Sequence, residues 1–105
     1  MSKTMTHLDV VRRYLDQEEL LTQLAEESAE LAKAALKLRR AYMGVNPTPV
    51  TAQDAHENLM EEIADVSNCL AALGFDHSID QMRVSRIAAE KLVRWADRLE
   101  EARGS

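Results

Sequence analysis

The sequence predicts an all-α fold of four helices, and three observations carry the prediction. Apolar residues recur at steps of three, four and seven along most of the chain, the spacing of one helix face. Three glycines and two prolines are too few for an all-β domain with many tight turns. Hydroxyl or carboxylate residues stand just ahead of the periodic stretches, where a helix N-terminus needs an acceptor.

The first helix is short and amphipathic, running from Leu8 to Tyr14 with Leu8, Val11 and Leu15 on one face. Asp16 is placed to cap a second helix, and Glu18 and Glu19 suit the positive end of its dipole. This second helix runs to about Met43 on a stripe of Leu20, Leu24, Leu31, Ala35 and Leu38. Lys37, Arg39 and Arg40 complement its C-terminal end, and Gly44 stops it. A loop from Gly44 to Gln53 carries Pro47 and Pro49. Thr51 with Asp54 then resembles a capping pair opening a third helix, with Leu59, Ile63, Val66, Leu70 and Leu73 inward and Gly74 at its end. Ser78 with Gln81 opens a fourth helix through roughly Glu101, on a stripe of Ile79, Met82, Ala89, Leu92, Ala96 and Leu99.

The 105 residues amount to one domain. A second helix of about 27 residues would be about 40 Å long. A compact domain of this size has a radius of gyration of only about 13 Å. Such a helix overhangs its own small core, so a homo-oligomer is expected, either dimer or tetramer.

Composition narrows the function classes. With 13 Lys+Arg against 18 Asp+Glu, the net charge of −5 argues against a general nucleic-acid binder. It leaves room for a small anionic substrate, because a divalent metal reverses a local field. The single Cys69 allows no internal disulfide and fits a reducing, cytoplasmic setting. No apolar signal region opens the sequence, and its longest uncharged apolar run, Cys69 to Phe75, is far short of the roughly 20 residues of a membrane span.

The acids are the most informative residues. Glu27 lies three after Leu24 and four before Leu31, sharing their face, and Glu30 follows beside that stripe. On the third helix, Glu62 is three after Leu59 and four before Val66, and Asp65 lies three beyond Glu62. A solvated face accounts for Glu26, Glu57 and Glu61 on charge alone. It accounts less well for two i,i+3 pairs along the inner stripes of consecutive helices. Four buried carboxylates without partners would cost several kcal/mol each, against a total stability of roughly 5–15 kcal/mol. The third helix carries no basic residue between Leu59 and Leu73, and only Lys33 lies close to Glu30. A hard divalent cation is the natural counter-charge. Oxygen ligands favour Mg²⁺, with Mn²⁺ as substitute, and Mg²⁺ commonly meets substrate phosphates.

At this point the residues resemble a family. Glu27-Ser-Ala-Glu30 followed by Glu62-Ile-Ala-Asp65 looks like the ExxE…ExxD signature of the MazG-like all-α nucleotide pyrophosphohydrolases. The wider strings Leu24-Ala-Glu-Glu-Ser-Ala-Glu-Leu31 and Leu59-Met-Glu-Glu-Ile-Ala-Asp-Val66 are similar to its short single-domain members from phages and bacteria, as is Lys91-Leu-Val-Arg-Trp-Ala-Asp-Arg98. The resemblance covers about residues 17–100. It implies a four-helix unit assembled into an oligomeric bundle. It also implies Mg²⁺-dependent hydrolysis of a (deoxy)nucleoside triphosphate between the α and β phosphates, giving monophosphate and pyrophosphate. Carried over by position, Glu27, Glu30, Glu62 and Asp65 would hold the metal. One of them, or Glu26 beside them, would orient or deprotonate the attacking water.

Secondary candidates follow. Lys91, Arg94 and Arg98 could meet the triphosphate tail, Arg being suited to bidentate phosphate contact, although a solvated face paired with Glu90, Asp97 and Glu101 describes them equally. Asn68 could contact a phosphate or the base, or bond between subunits. Trp95 could stack on a nucleobase, or pack with Leu92 and Leu99. His7, His56 and His77 share no spacing with each other or with the acids, and no His follows a Glu by three as a di-iron bundle would need; all three read as surface residues. Cys69 reads as a small buried residue.

Two other functions compete. Phosphoribosyl-ATP pyrophosphohydrolase of histidine synthesis shares the fold, length and acid signature, but its members tend to carry an aromatic-His pair soon after the last acid, where Val66-Ser-Asn-Cys69 stands here. A non-catalytic helical partner-binding module is the other, and all four acid positions being filled lends it no support.

Overall fold

A computed structural model describes residues 5–44, 50–76 and 78–104 of the chain. They form four helices and no strand: α1 (His7–Tyr14), α2 (Gln17–Met43), α3 (Ala52–Ala72) and α4 (Ser78–Gly104). The expected loop prolines Pro47 and Pro49, and His77, lie outside the described residues, as does the side chain of Ser78 expected to cap α4.

The helix starts follow from their caps. Thr6 accepts from the Asp9 amide at 3.0 Å while the Asp9 carboxylate accepts from the Thr6 amide at 3.0 Å. Asp16 and Glu19 repeat this reciprocal arrangement at the start of α2. At α3 the Thr51 hydroxyl accepts from the Asp54 amide, and the return bond is absent from the cap. These side chains satisfy amides that have no partner within their own helices. Gly44 ends α2 with φ 69° and Gly74 follows α3 with φ 89°, a left-handed conformation that glycine adopts at no steric cost.

The chain divides into two compact units, one ending at Leu73 and the other starting at Gly74. In the first unit, α2 and α3 pack along their lengths and α1 rests against α3. Leu20 of α2 shares one cavity with Cys69 and Ala72 of α3, while Lys37 and Arg40 share another with Asn58. The two helices are therefore antiparallel. Their seam buries Leu20, Ala34 and Leu38 from α2 with Ala55, Cys69 and Ala72 from α3. Small side chains at four of these six positions allow a close approach, with a leucine toward each end.

The expected stripes need adjustment. Ala34 rather than Ala35 is the buried alanine of α2, and Leu24 and Leu31 are half-buried. On α3, Ile63 and Leu70 are exposed (48% and 37%), although the apolar spacing put them inward. The helix carries apolar residues on two faces, and in the single chain α2 covers only the one with Ala55, Leu59, Glu62, Val66 and Cys69.

Helix α1 buries none of its residues. Arg12 fixes it instead, its Nε donating to the Ala72 carbonyl at 2.9 Å and its Nη2 to the Ala71 carbonyl at 2.7 Å. Both acceptors lie in the last turn of α3, where carbonyls lack intrahelical donors and the dipole favours a cation.

The second unit is α4, which runs three residues beyond the expected Glu101. Its described side chains are all exposed, including Ile79, Met82, Leu92, Trp95 and Leu99. No helix among the described residues is long and apolar enough to cross a membrane.

Candidate metal centre

The antiparallel pairing of α2 and α3 brings Glu27 of α2 opposite Glu62 and Asp65 of α3. Glu27, Glu62 and Asp65 each present a ligand oxygen, and these oxygens lie within 4.8 Å of one another. Glu27 and Glu62 are half-buried, and Asp65 is exposed. Such spacing lets three carboxylates share one cation, with solvent reaching the Asp65 side.

Glu62 occupies the most strained electrostatic position. Its Oε2 is enclosed and has no hydrogen-bond partner among the described residues. Desolvation pushes its carboxyl above its ordinary value, and repulsion from Asp65, Glu27, Glu30 and Glu61 adds to the shift. A neighbouring cation would relieve both effects. Cys69, one turn beyond Asp65, is buried and its thiol is raised by burial and then by the charges of Glu27 and Asp65. Glu27 is held from its own helix, the Gln23 Nε2 donating to Glu27 Oε1 at 3.0 Å.

Three of the four expected acids thus converge within this distance, partly open to solvent, and the charge of Glu30 also acts on Glu62. Glu30 stands outside the cluster. It is exposed and pairs with Lys33 at 3.6 Å, one turn along α2, an arrangement that needs no burial and no metal. Glu26 is also exposed and outside the cluster.

Two cavities lie in the same unit as the acids. A groove of about 410 Å³ is walled by Leu8, Val11, Leu15 and Leu20, with Gln23 and Asn68 as polar contributors. Asn68 thus lies on a surface a ligand can reach, and His7 of α1 lines the same groove. Glu62 and Glu30 border a second furrow of about 290 Å³ with Lys33, Lys37, Arg40 and Asn58. Lys91, Arg94, Trp95 and Arg98 belong to the second unit, where they share one face of α4 and line a shallow recess.

The spacing of the acids did not single out Gln23, Lys37, Arg40 or Asn58. For Gln23 a signal existed: it precedes Glu27 by four, a spacing at which helical side chains meet. Asn58 precedes Glu62 by four in the same way. Comparison of the chain with protein-family models, with curated proteins and with solved structures finds no match.

Proposed function

We propose that this protein is a Mg²⁺-dependent nucleoside triphosphate pyrophosphohydrolase of the MazG-like kind. The observation that supports this most is the convergence of Glu27, Glu62 and Asp65 around one point, with the Glu62 Oε2 enclosed and unpartnered. All-oxygen donors of this kind suit a hard divalent ion. When bound, Mg²⁺ would screen phosphate charge and acidify a coordinated water.

The chain's own groups have definable tasks. Glu27, Glu62 and Asp65 would hold the ion, and Gln23 fixes the rotamer of Glu27 from one turn away. Glu30, which borders the same furrow as Glu62, or Glu26, next to Glu27 in the chain, would accept the proton of the attacking water. That water's oxygen bonds to the α phosphorus as the bond from the α phosphorus to the bridging oxygen breaks, and pyrophosphate departs with the bridge. The apolar groove beside Gln23 and Asn68 offers a place for a flat, apolar-faced base. Lys91, Arg94 and Trp95 of α4 remain candidates for the phosphate tail and base.

The protein is also proposed to act as a homo-oligomer. Exposed Ile63 and Leu70 on α3, and the exposed apolar side chains of α4, support a second copy covering them. Light scattering on the purified chain tests this reading, and a monomer at micromolar concentration would end it.

The activity is tested with a panel of nucleoside triphosphates and phosphoribosyl-ATP, with Mg²⁺, resolving pyrophosphate from orthophosphate. Pyrophosphate release that is lost in Glu62→Gln is the expected result. Turnover unchanged in Glu62→Gln would remove the site assignment.

A further inference from the structure

The furrow between Glu62 and the C-terminal half of α2 has a charge gradient that the metal cluster does not explain. Lys33, Lys37 and Arg40 stand at i, i+4 and i+7, so they form one row along α2 about 10 Å long. Asn58 faces them from α3 across a space of about 290 Å³, and Glu30 and Glu62 close the end nearest the acids. Lys33 is paired with Glu30, but Lys37 and Arg40 have no ion pair among the described residues. Lys37 is half-buried and lines the furrow. In a chain of net charge −5, three cations outnumber the two carboxylates in this recess, and the cations extend along α2 beyond Glu30.

We propose that this furrow binds the pyrophosphate portion of a polyphosphate, with Lys37 and Arg40 as its principal cations and Asn58 as a neutral donor. The proposal rests on the pyrophosphohydrolase reading for its substrate, and it adds a second phosphate-binding row distinct from the α4 residues. The acidic end suits a cation shared with the phosphate, and the basic end suits the phosphate oxygens beyond it. Arg40 can grip two oxygens at once, whereas Lys37 acts as a point charge. Holding the leaving pyrophosphate along α2 would also set the direction in which the bond to the α phosphorus breaks.

The probe is inorganic pyrophosphate, titrated calorimetrically with Mg²⁺ present into the full chain. Wild type should bind it, and more weakly as salt rises. Lys37→Gln, which keeps much of the stem, and Arg40→Ala should each weaken binding roughly tenfold, the loss expected for one charge-assisted contact. Arg39→Ala removes an equal charge from outside the furrow and should change affinity less than about twofold. Circular dichroism establishes that each variant is folded, and Lys37→Arg should restore affinity if Lys37→Gln does not fold. Absence of binding to wild type, or equal affinity across Lys37→Gln, Arg40→Ala and Arg39→Ala, overturns the proposal. Pyrophosphate release from nucleotides is measured separately on wild type. Release with an indifferent furrow rejects the furrow alone, while a furrow that binds without any release rejects the pyrophosphohydrolase reading alone.

Discussion

Gln23 and Glu27 are joined by a hydrogen bond of 3.0 Å across one turn of α2, so one member of the acidic cluster is oriented by its own helix before any cation arrives. The other two members come from α3, and their approach to Glu27 depends on the packing of the seam. Orientation of the first ligand is local, whereas assembly of the three is tertiary.

Replacing Gln23 by Ala should leave the fold in place and loosen Glu27. The expected outcome is a requirement for roughly threefold more Mg²⁺ at half-maximal activity, a modest value because the bond is solvent-exposed. A Mg²⁺ titration of pyrophosphate release checks it, with the maximal rate altered less than the midpoint.

Glu62 makes metal binding and stability depend on pH in opposite senses. Its carboxyl is raised in the folded chain, so folding favours the protonated form. The stabilisation is complete below the ordinary carboxyl value and fades as pH rises through the raised one. Mg²⁺ competes with that proton, so the rise in Tm on adding millimolar Mg²⁺ should grow over the same interval. In Glu62→Gln the metal-free Tm should be equal or higher, and most of the Mg²⁺ response should disappear. Melting curves at several pH values, with chelator or with Mg²⁺, measure both effects.

Arg12→Ala removes two hydrogen bonds to the final carbonyls of α3. A loss of about 1–2 kcal/mol is expected, with α1 released first because it contributes nothing to the core. Hydrogen exchange should accelerate across 7–14 while α2 and α3 keep most of their protection. Uniform acceleration in all three helices would contradict the local role.

Cys69 is buried, and its thiol is shifted away from the reactive thiolate form by burial and by Glu27 and Asp65. A disulfide exchange reagent should therefore label native protein far more slowly than urea-unfolded protein at the same pH. Equal rates would mean that the α2–α3 seam opens freely.

The helix limits were legible in the sequence because local chemistry sets them. Asp16 caps α2, Thr51 caps α3 and Gly44 ends α2, and none of these needs a distant contact. The choice of buried face was less legible. Ile63 and Leu70 have the same helical spacing as Leu59 and Val66, and only the position of α2 separates the covered row from the uncovered one. The same limit applied to the acids. Spacing placed Glu27, Glu62 and Asp65 near the seam, but it did not show that Glu30 is exposed and pairs with Lys33. From the sequence alone, Lys37 and Arg40 complement the helix dipole, and the Asn58 that shares their furrow comes from α3, which sequence spacing does not pair with them.

The two bonds from Arg12 tether α1, one wall of the apolar groove, to the last turn of α3. Leu8 and Val11 line that groove and neither belongs to the acidic cluster, so substitutions there can change its size and shape while Glu27, Glu62 and Asp65 are retained. In such a layout, groove shape can be varied within an eight-residue helix that carries none of the clustered acids.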